Sequence, residues 1–434
     1  MKFFHISDLH IGKRVCGFSM LEDQQFILNQ IADLAAEHRP DGIWIAGDLY
    51  DKSMPSGEAV ELADSFLYRF AEMKIPVWVI SGNHDSAERI AYGGRMMEQA
   101  GIHVSRIFDG TMQKYTMDGE ETVDIYLLPF VRPAQVRRFY PECTVETTQQ
   151  AVEVILQHTE LDKKHRNVLL MHQFLAGAAV CESEEISVGG SDQVDASVTA
   201  DFDYVALGHL HGPQKVGRET VRYCGSPLKY SFSEVNHRKS VTVVEFLLPD
   251  ERKDREDNIG SEESGAVSER KEPEDSIRIS AIPLTPLHDM REIRGPIDQL
   301  LSPEVYEGAD RNDYLHVTLT DQKEILDAIG RLRDVYPNIM RLDFEAGRQD
   351  VQAEEEIRLE EKTPEELFAE FFLRQNGFEM SEEQQDLVRK LWGSESRADC
   401  ADAGKTKSGS KEIYHEKNGN SDSGEPMEKG GEGL

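Results

Sequence analysis

The chain has 434 residues, room for two or three domains of ordinary size, and sets 48 Lys and Arg against 81 Asp and Glu for a formal charge of −33. That acidity excludes a protein that coats nucleic acid by bulk positive charge, but not one that reaches phosphates through bound cations. A hydrophobic share of 39% can fill a core, no apolar run approaches the roughly 18 residues of a membrane helix, and five scattered cysteines (Cys16, Cys143, Cys181, Cys224, Cys400) with no CxxC pair argue against a disulfide scaffold or zinc ribbon.

Met1 to Ile6 run straight into a strand pattern with no basic segment or cleavage site, so no secretory signal is expected, and the reading is a reduced, cytoplasmic protein. Over residues 1–248 short apolar runs at Phe3–Ile6, Gly42–Ala46, Val77–Ile80, Val168–Met171 and Tyr204–Leu207 read as buried strands. Between the first two, Glu22 to His38 reads as a helix stopped by Pro40. Between the second and third, Ala59, Leu62, Ala63, Phe66, Leu67 and Phe70 mark one buried helix face. Strands alternating with helices predict a layered α/β core.

Composition then shifts. Residues 250–275 hold eleven acidic and five basic side chains and no aromatic, so 249–276 is expected to be a solvated, disordered linker or insertion. Residues 277–350 read as a small second domain, with strands at Ile277–Ile282, Tyr314–Leu319 and Ile339–Phe344 and a helix carrying Ile325, Leu326, Ile329 and Leu332. Residues 351–393 read as a helical hairpin: Thr363-Pro364-Glu365-Glu366 opens one helix, Gly377 ends it, and Ser381 with Gln384 caps the next. Its stripes, Leu367, Phe368, Phe371 and Phe372 against Leu387, Val388, Leu391 and Trp392, sit in an acidic two-helix unit that cannot bury them itself, which points to a partner surface. The tail 394–434 is expected to be disordered.

Five expected strand ends carry side chains suited to metals: Asp8-x-His10, Gly47-Asp48-x-x-Asp51, Gly82-Asn83-His84-Asp85, His172, and Gly208-His209-x-His211. In an open α/β sheet, functional groups gather beyond the carboxyl ends of the strands. Imidazole and carboxylate together suit Mn, Fe, Zn or Co, and two such ions a few ångströms apart can clamp an in-line displacement at phosphorus. Any one of these motifs is weak; the ordered set is strong. Lys13, Arg14, Lys52, Arg89 and Arg95 lie near these loops as candidate phosphate contacts or plain solvated surface.

In that order the motifs resemble the calcineurin-like metallophosphoesterases. With Tyr223-Cys224-Gly225-Ser226-Pro227 and Tyr230-Ser231-Phe232, the chain is similar to the SbcD branch, nuclease subunits related to the double-strand-break repair nucleases. The resemblance implies a metallophosphoesterase β-sandwich core flanked by helices, a small α/β capping domain and a C-terminal helical hairpin. It implies Asp8, His10, Asp48 and His211 on one metal and Asp48, Asn83, His172 and His209 on a second, with two divalent ions, Mn²⁺ by family preference and Mg²⁺, Fe or Zn as alternatives. His84 would act on the phosphate or leaving oxygen, Asp85 would orient its ring, and Asp51 would stand behind the ligands. The implied activity is DNA phosphodiester hydrolysis: 3′–5′ exonuclease on double strands, endonuclease on single strands and hairpins, with ATP dependence through an SbcC-like coiled-coil ATPase docked on 363–392. A homodimer within a heterotetramer, serving DNA recombination, replication and repair on the nucleoid, is implied likewise. The metal site alone does not set the substrate, so a phosphatase or phosphodiesterase for small phosphoesters is the alternative. Against it, Asp51 is followed by Lys52-Ser53 and His84 by Asp85, where the Ser/Thr phosphatases of this superfamily read DRG and NHE. A scaffold without activity is the third reading, opposed by the intact ligand set.

Overall fold

The computed structural model describes residues 1–184, 192–247, 276–323, 325–345, 368–369, 371–373 and 378–395. The chain divides into two units, Met1–Ala346 and Gly347–Leu434.

The first unit is built on two six-stranded sheets. Its strands are β1 (Lys2–Ile6), β2 (Gly42–Ile45), β3 (Val77–Val79), β4 (Ile102–Val104), β5 (Gln113–Met117), β6 (Val123–Leu128), β7 (Arg166–His172), β8 (Tyr204–Gly208), β9 (Gln214–Val216), β10 (Arg218–Tyr223), β11 (Ser240–Phe246) and β12 (Ile277–Pro283). One sheet runs β12-β11-β1-β2-β3-β4 and the other β9-β10-β8-β7-β6-β5. β1 to β4 run parallel in one sheet, and β6, β7, β8 and β10 run parallel in the other.

The sheets face each other across Phe3, Trp44, Trp78, Ile125, Leu127, Val168, Leu170 and Tyr204. Phe3 stacks on Trp44 with centroids 4.5 Å apart. The outer face of the first sheet carries α1 (Leu21–His38) and α2 (Gly57–Met73), through Ile27, Ile31, Ala63, Phe66 and Phe70. The outer face of the second carries α3 (Thr148–Gln157), through Val152 and Ile155. Because both faces of each parallel strand are covered, the strands read in the sequence as unbroken apolar runs rather than alternating ones, and all five expected strands are present. Ser56 caps α2 by accepting the Ala59 N–H at 3.3 Å. His5, the polar break in β1, is structural: its ring meets the Tyr204 hydroxyl at 3.0 Å and the Leu207 carbonyl at 3.2 Å, and burial lowers its pKa to about 3.

Two expectations for residues 277–350 need correction. Ile277–Ile282 does not open a second domain. As β12 it pairs antiparallel with β11 along its whole length, Phe246 against Ile277 to Ser240 against Pro283. There it covers an edge that β11 would otherwise expose, and Ile277 enters the inter-sheet core. The small domain therefore begins after Pro283. Its parallel sheet is β13 (Met290–Gly295), β14 (Tyr314–Leu319) and β15 (Ile339–Phe344). The expected helix is only α4 (Ala328–Arg333), capped by Asp327, whose carboxylate accepts the Gly330 N–H; Leu326 lies outside it, 87% exposed. Asp23 ties this domain to the core by accepting from the Tyr314 hydroxyl at 2.7 Å.

In the second unit α5 spans Glu382–Glu395. Its expected capping box is in place: Ser381 N–H donates to Gln384 Oε1 at 2.9 Å and Gln384 N–H to Ser381 Oγ at 3.3 Å. Of the expected stripe, Leu387 is exposed and Val388 buried. Thr363 to Glu366, Leu367, Gly377 and the side chains of Leu391 and Trp392 lie outside the described residues, as do 250–275 and 396–434. No helix among the described residues is long and apolar enough to cross a membrane.

Candidate metal centre

The carboxyl ends of β1, β2 and β3 in one sheet meet those of β7 and β8 in the other, which brings all five motifs together. The backbone there is forced. Asp8 (φ 55°), His10 (φ 45°), Asp48 (φ 50°) and His209 (φ 108°) are four of the eight described non-glycine residues with positive φ. Such backbone persists only where the surroundings hold it. Here the chain after β1 is strapped to the chain after β2: Asp8 N–H donates to the Gly47 carbonyl at 3.1 Å, His10 N–H to Asp48 at 3.0 Å, and Ile11 N–H to Leu49 at 3.0 Å. Gly47 takes φ 95°, and a Cβ on it would lie 2.3 Å from His172 Nδ1.

The side chains form three overlapping groups whose ligand atoms lie within 4.8 Å of one another: Asp8, His10 and His211; Asp8, Asp48 and His172; and His10, Asp48 and His84. His10 Nε2 lies 3.1 Å from His211 Nε2 and 3.7 Å from Asp48 Oδ2. On the other side, His172 Nε2 stands 3.3 Å from Asp48 Oδ2 and 3.0 Å from Asn83 Oδ1, and His209 Nδ1 stands 2.9 Å from Asn83 Oδ1. Asp8 accepts the His209 N–H at 3.0 Å, which locks the last motif to the first.

The donor set fits cations. His172 Nδ1 donates to the Ala46 carbonyl at 2.7 Å, so in the neutral ring Nε2 is a lone pair aimed at two acceptor oxygens. Protonation is the alternative remedy: burial alone would lower the pKa of this imidazole, but the Asp48 charge raises it to about 9. His211 Nδ1 faces the buried Glu234 carboxylate at 3.2 Å, so its Nε2 lone pair confronts His10 Nε2. Among the described residues, the buried His10 Nδ1 has no hydrogen-bond partner. Burial lowers the pKa of His209 to about 3, keeping it a neutral donor of electrons, and pushes the Asp8 carboxyl up. Lone pairs and carboxylates thus converge in one buried place, which is costly unless cations occupy the space between.

His84 stands at the edge of this cluster, its ring 4.8 Å from that of His10. Its backbone N–H donates to Asp48 Oδ1 at 2.9 Å, and its Nδ1 donates to the Asp51 carbonyl at 3.0 Å, leaving Nε2 without a hydrogen bond among the described residues. The expectation that Asp85 orients this ring is corrected. The Asp85 carboxylate accepts three backbone N–H groups, Gly82 at 2.9 Å, Tyr50 at 2.9 Å and Leu49 at 3.1 Å, and so pins the second motif to the third. Burial pushes its pKa up to about 6 against those bonds. The ring is oriented instead by the Asp51 carbonyl, while the Asp51 carboxylate pairs with Lys13 at 2.7 Å.

Sequence reading missed the residues behind the imidazoles. Glu234, wholly buried, accepts from Ser183 Oγ at 2.6 Å and Lys239 Nζ at 2.5 Å besides facing His211. Burial would raise its carboxyl, but His211 and Lys239 hold it well below the carboxylate range. Lys239 also donates to the His211 carbonyl and Ser226 Oγ, both at 2.9 Å. Gln24, on α1, donates to the His10 carbonyl at 2.7 Å. Glu234 has no motif spacing to betray it; its one signal is its place just after Tyr230-Ser231-Phe232. A carboxylate that fixes a ligating imidazole typically governs metal affinity 10–100-fold. Glu234→Gln is expected to weaken manganese binding by about that factor, measured by calorimetric titration of the apoprotein. Unchanged affinity would mean that His211 is held by packing alone.

Beside Asn83 and His209 opens a cleft of about 630 Å³, lined also by Phe130, Arg132, Gln173, Phe174, Glu184 and Asp192.

Residues 1–213 match the calcineurin-like phosphoesterase family, and residues 286–376 match a family described as the type 5 capsule protein repressor C-terminal domain. A relative from Staphylococcus epidermidis, named as the SbcD component of the nuclease SbcCD, is 33% identical over 346 residues, covering 79% of this chain and 85% of that one. Among solved structures, a protein of Thermus thermophilus aligns with 55% of this chain and 92% of its own at 12% identity and a TM-score of 0.31. A dimetal phosphatase from Danio rerio aligns with 56% and 92% at 10% identity and a TM-score of 0.34.

Proposed function

We propose, for a chain that belongs to the SbcD family of nuclease subunits, whose calcineurin-like phosphoesterase domain binds divalent metal ions, that it hydrolyses DNA phosphodiesters as the nuclease half of an SbcCD-like complex. The observation that carries this is the convergence of imidazole lone pairs and two buried carboxylates, Asp8 and Asp48, at the ends of five strands. Asp8, His10, Asp48 and His211 would hold one ion, and Asp48, Asn83, His172 and His209 the other, with manganese as the working metal. When bound, such a pair neutralises charge on the phosphate and lowers the pKa of water. His84 serves the leaving group: its Nδ1 is committed to the Asp51 carbonyl, so its unengaged Nε2 can carry a proton to the departing oxygen. Asp85 holds the loops that carry Asp48 and Asn83 in register.

The family resemblance extends the reading to 3′–5′ exonuclease action on duplex ends, cutting of single strands and hairpins, and work in the cytoplasm in recombination, replication and repair. The partner is an SbcC-like coiled-coil ATPase docked on 363–392, which couples cutting to ATP, in a heterotetramer with two copies of this chain. One experiment covers the proposal. Purified protein with Mn²⁺ is expected to degrade linear and hairpin DNA, faster with the ATPase and ATP, and removal of 363–392 is expected to abolish co-purification with that partner. Hydrolysis of small phosphoesters with no DNA cleavage, partner present, would favour the alternative phosphatase.

A further inference from the structure

We infer that the cleft beside Asn83 and His209 is the seat of an unpaired nucleotide flanking the phosphate to be cut, with its base on Phe130 and its backbone phosphate on Arg132. The inference rests on the proposed nuclease reading and adds the residues that hold the flanking nucleotide. Three observations carry it.

The cleft is continuous with the metal centre, because Asn83 and His209 belong to both. Its volume of about 630 Å³ lies in the range, roughly 300–1,000 Å³, of pockets that enclose one small molecule. That suits a nucleotide and not a duplex.

The wall is built and braced. Phe130 N–H donates to the Ser81 carbonyl at 2.8 Å, which ties it to the chain just before the Gly82-Asn83 loop. Gln173 Nε2 donates to the Val131 carbonyl at 3.1 Å, which ties the next residue to the chain just after His172. Arg132 N–H donates to Gln135 Oε1 at 2.8 Å, and Pro133 starts the short helix that follows. Phe130 stays half-exposed at the cleft, its ring centroid 6.4 Å from that of His172.

The charge is out of keeping with its surroundings. In a chain of net charge −33, Arg132 has no carboxylate partner among the described residues; its guanidinium lies 5.9 Å from the Phe130 centroid. A half-exposed aromatic ring is a stacking platform for an unstacked base, and a guanidinium at its margin can meet that nucleotide's phosphate. Glu184 and Asp192, which also line the cleft, repel phosphate and leave the arginine as its place. A base inside a duplex cannot reach such a face, so cutting here favours ends, loops and hairpins, where bases are already free.

The test compares wild type, Phe130→Ala, Phe130→Trp and Arg132→Gln. With Mn²⁺, the ratio of kcat/KM on a hairpin oligonucleotide to kcat/KM on bis(p-nitrophenyl) phosphate is expected to fall about tenfold in Phe130→Ala and to hold in Phe130→Trp. Without metal, in EDTA, fluorescence anisotropy with an oligothymidylate is expected to show affinity about tenfold weaker for Phe130→Ala, and a salt slope shallower by about one for Arg132→Gln. If Phe130→Ala fails to fold, Phe130→Trp and Arg132→Gln carry the same comparison. A ratio that does not move, or tryptophan failing as alanine does, would overturn the inference. Wild-type protein that never cuts DNA would overturn the nuclease reading instead, and the two failures are distinct.

Discussion

Asp48→Ala is expected to release bound manganese and abolish cleavage, whereas His84→Ala should keep the metal and lose only cleavage. Asp48 stands between the two groups of ligands, 3.7 Å from His10 Nε2 and 3.3 Å from His172 Nε2 through the same Oδ2, while Oδ1 accepts the His84 N–H. Its carboxylate, buried at 2% exposure, is the proposed bridge, and neither Asp85, bound by three backbone N–H groups, nor Asp51, paired with Lys13, is free to replace it. A bound metal pair supplies several kcal/mol of transition-state stabilisation, and at about 1.4 kcal/mol per decade its loss costs at least about a thousandfold in rate. His84 hydrogen-bonds Asp48 through its backbone N–H, which alanine retains, while its ring stands within 4.8 Å of the His10 and Asp48 ligand atoms. In its proposed role, its loss is that of one general acid, ~10²–10⁴-fold. Metal content by elemental analysis and single-turnover cleavage of a linear duplex separate the two. Equal metal loss in both variants would refute the division of roles.

Gly82→Ala should be nearly as damaging, although it adds one methyl group and removes no proposed ligand. A Cβ there would lie 2.1 Å from Asp48 Oδ1 and 2.5 Å from the Asp48 backbone nitrogen. Neither can retreat cheaply, because Asp48 N and Oδ1 sit within the strapped loops and Gly82 N–H is itself held by Asp85 at 2.9 Å. The displacement falls on the shared carboxylate, and a misplacement of about 1 Å at a reacting centre costs on the order of a hundredfold. Overpacking also lowers stability by roughly 1–3 kcal/mol. Gly57→Ala is the control: nothing lies within 4 Å of its Cβ position, at the start of α2. The expected result is lowered metal content and at least about a hundredfold slower cleavage for Gly82→Ala, with a melting temperature reduced by a few degrees. Full activity in Gly82→Ala would show that the β3 loop is looser than the geometry implies.

The ligand candidates are legible in the chain because local chemistry marks them. Asp-x-His and His-x-His follow unbroken apolar runs, and those runs exist because both faces of each inner strand are covered. The helices α1 and α2 are legible from their period. Strand β13 is not, because Met290-Arg291-Glu292-Ile293-Arg294-Gly295 is an edge strand that exposes Glu292 and Arg294 and pairs Arg291 with Asp313, so it carries no apolar run. The helix expected from Ile325 shrinks because Asp327 takes a left-handed φ of 50° and caps from within the pattern. Adjacency in the chain also misleads in one case: Asp85, next to His84, holds backbone instead of the ring.

Which residues stand at the ends of which strands is written in the chain, since strand content and motif spacing are local properties. How those ends combine is settled by packing. Asp8 accepts from His209 and His10 meets His211, each about two hundred residues away. Glu234 and Lys239 stand behind the same imidazole, and β12 crosses from its expected domain to close the first sheet. Such contacts arise from burial and from the need to satisfy every buried donor and acceptor, requirements set by the whole packed molecule and not by any short stretch of chain.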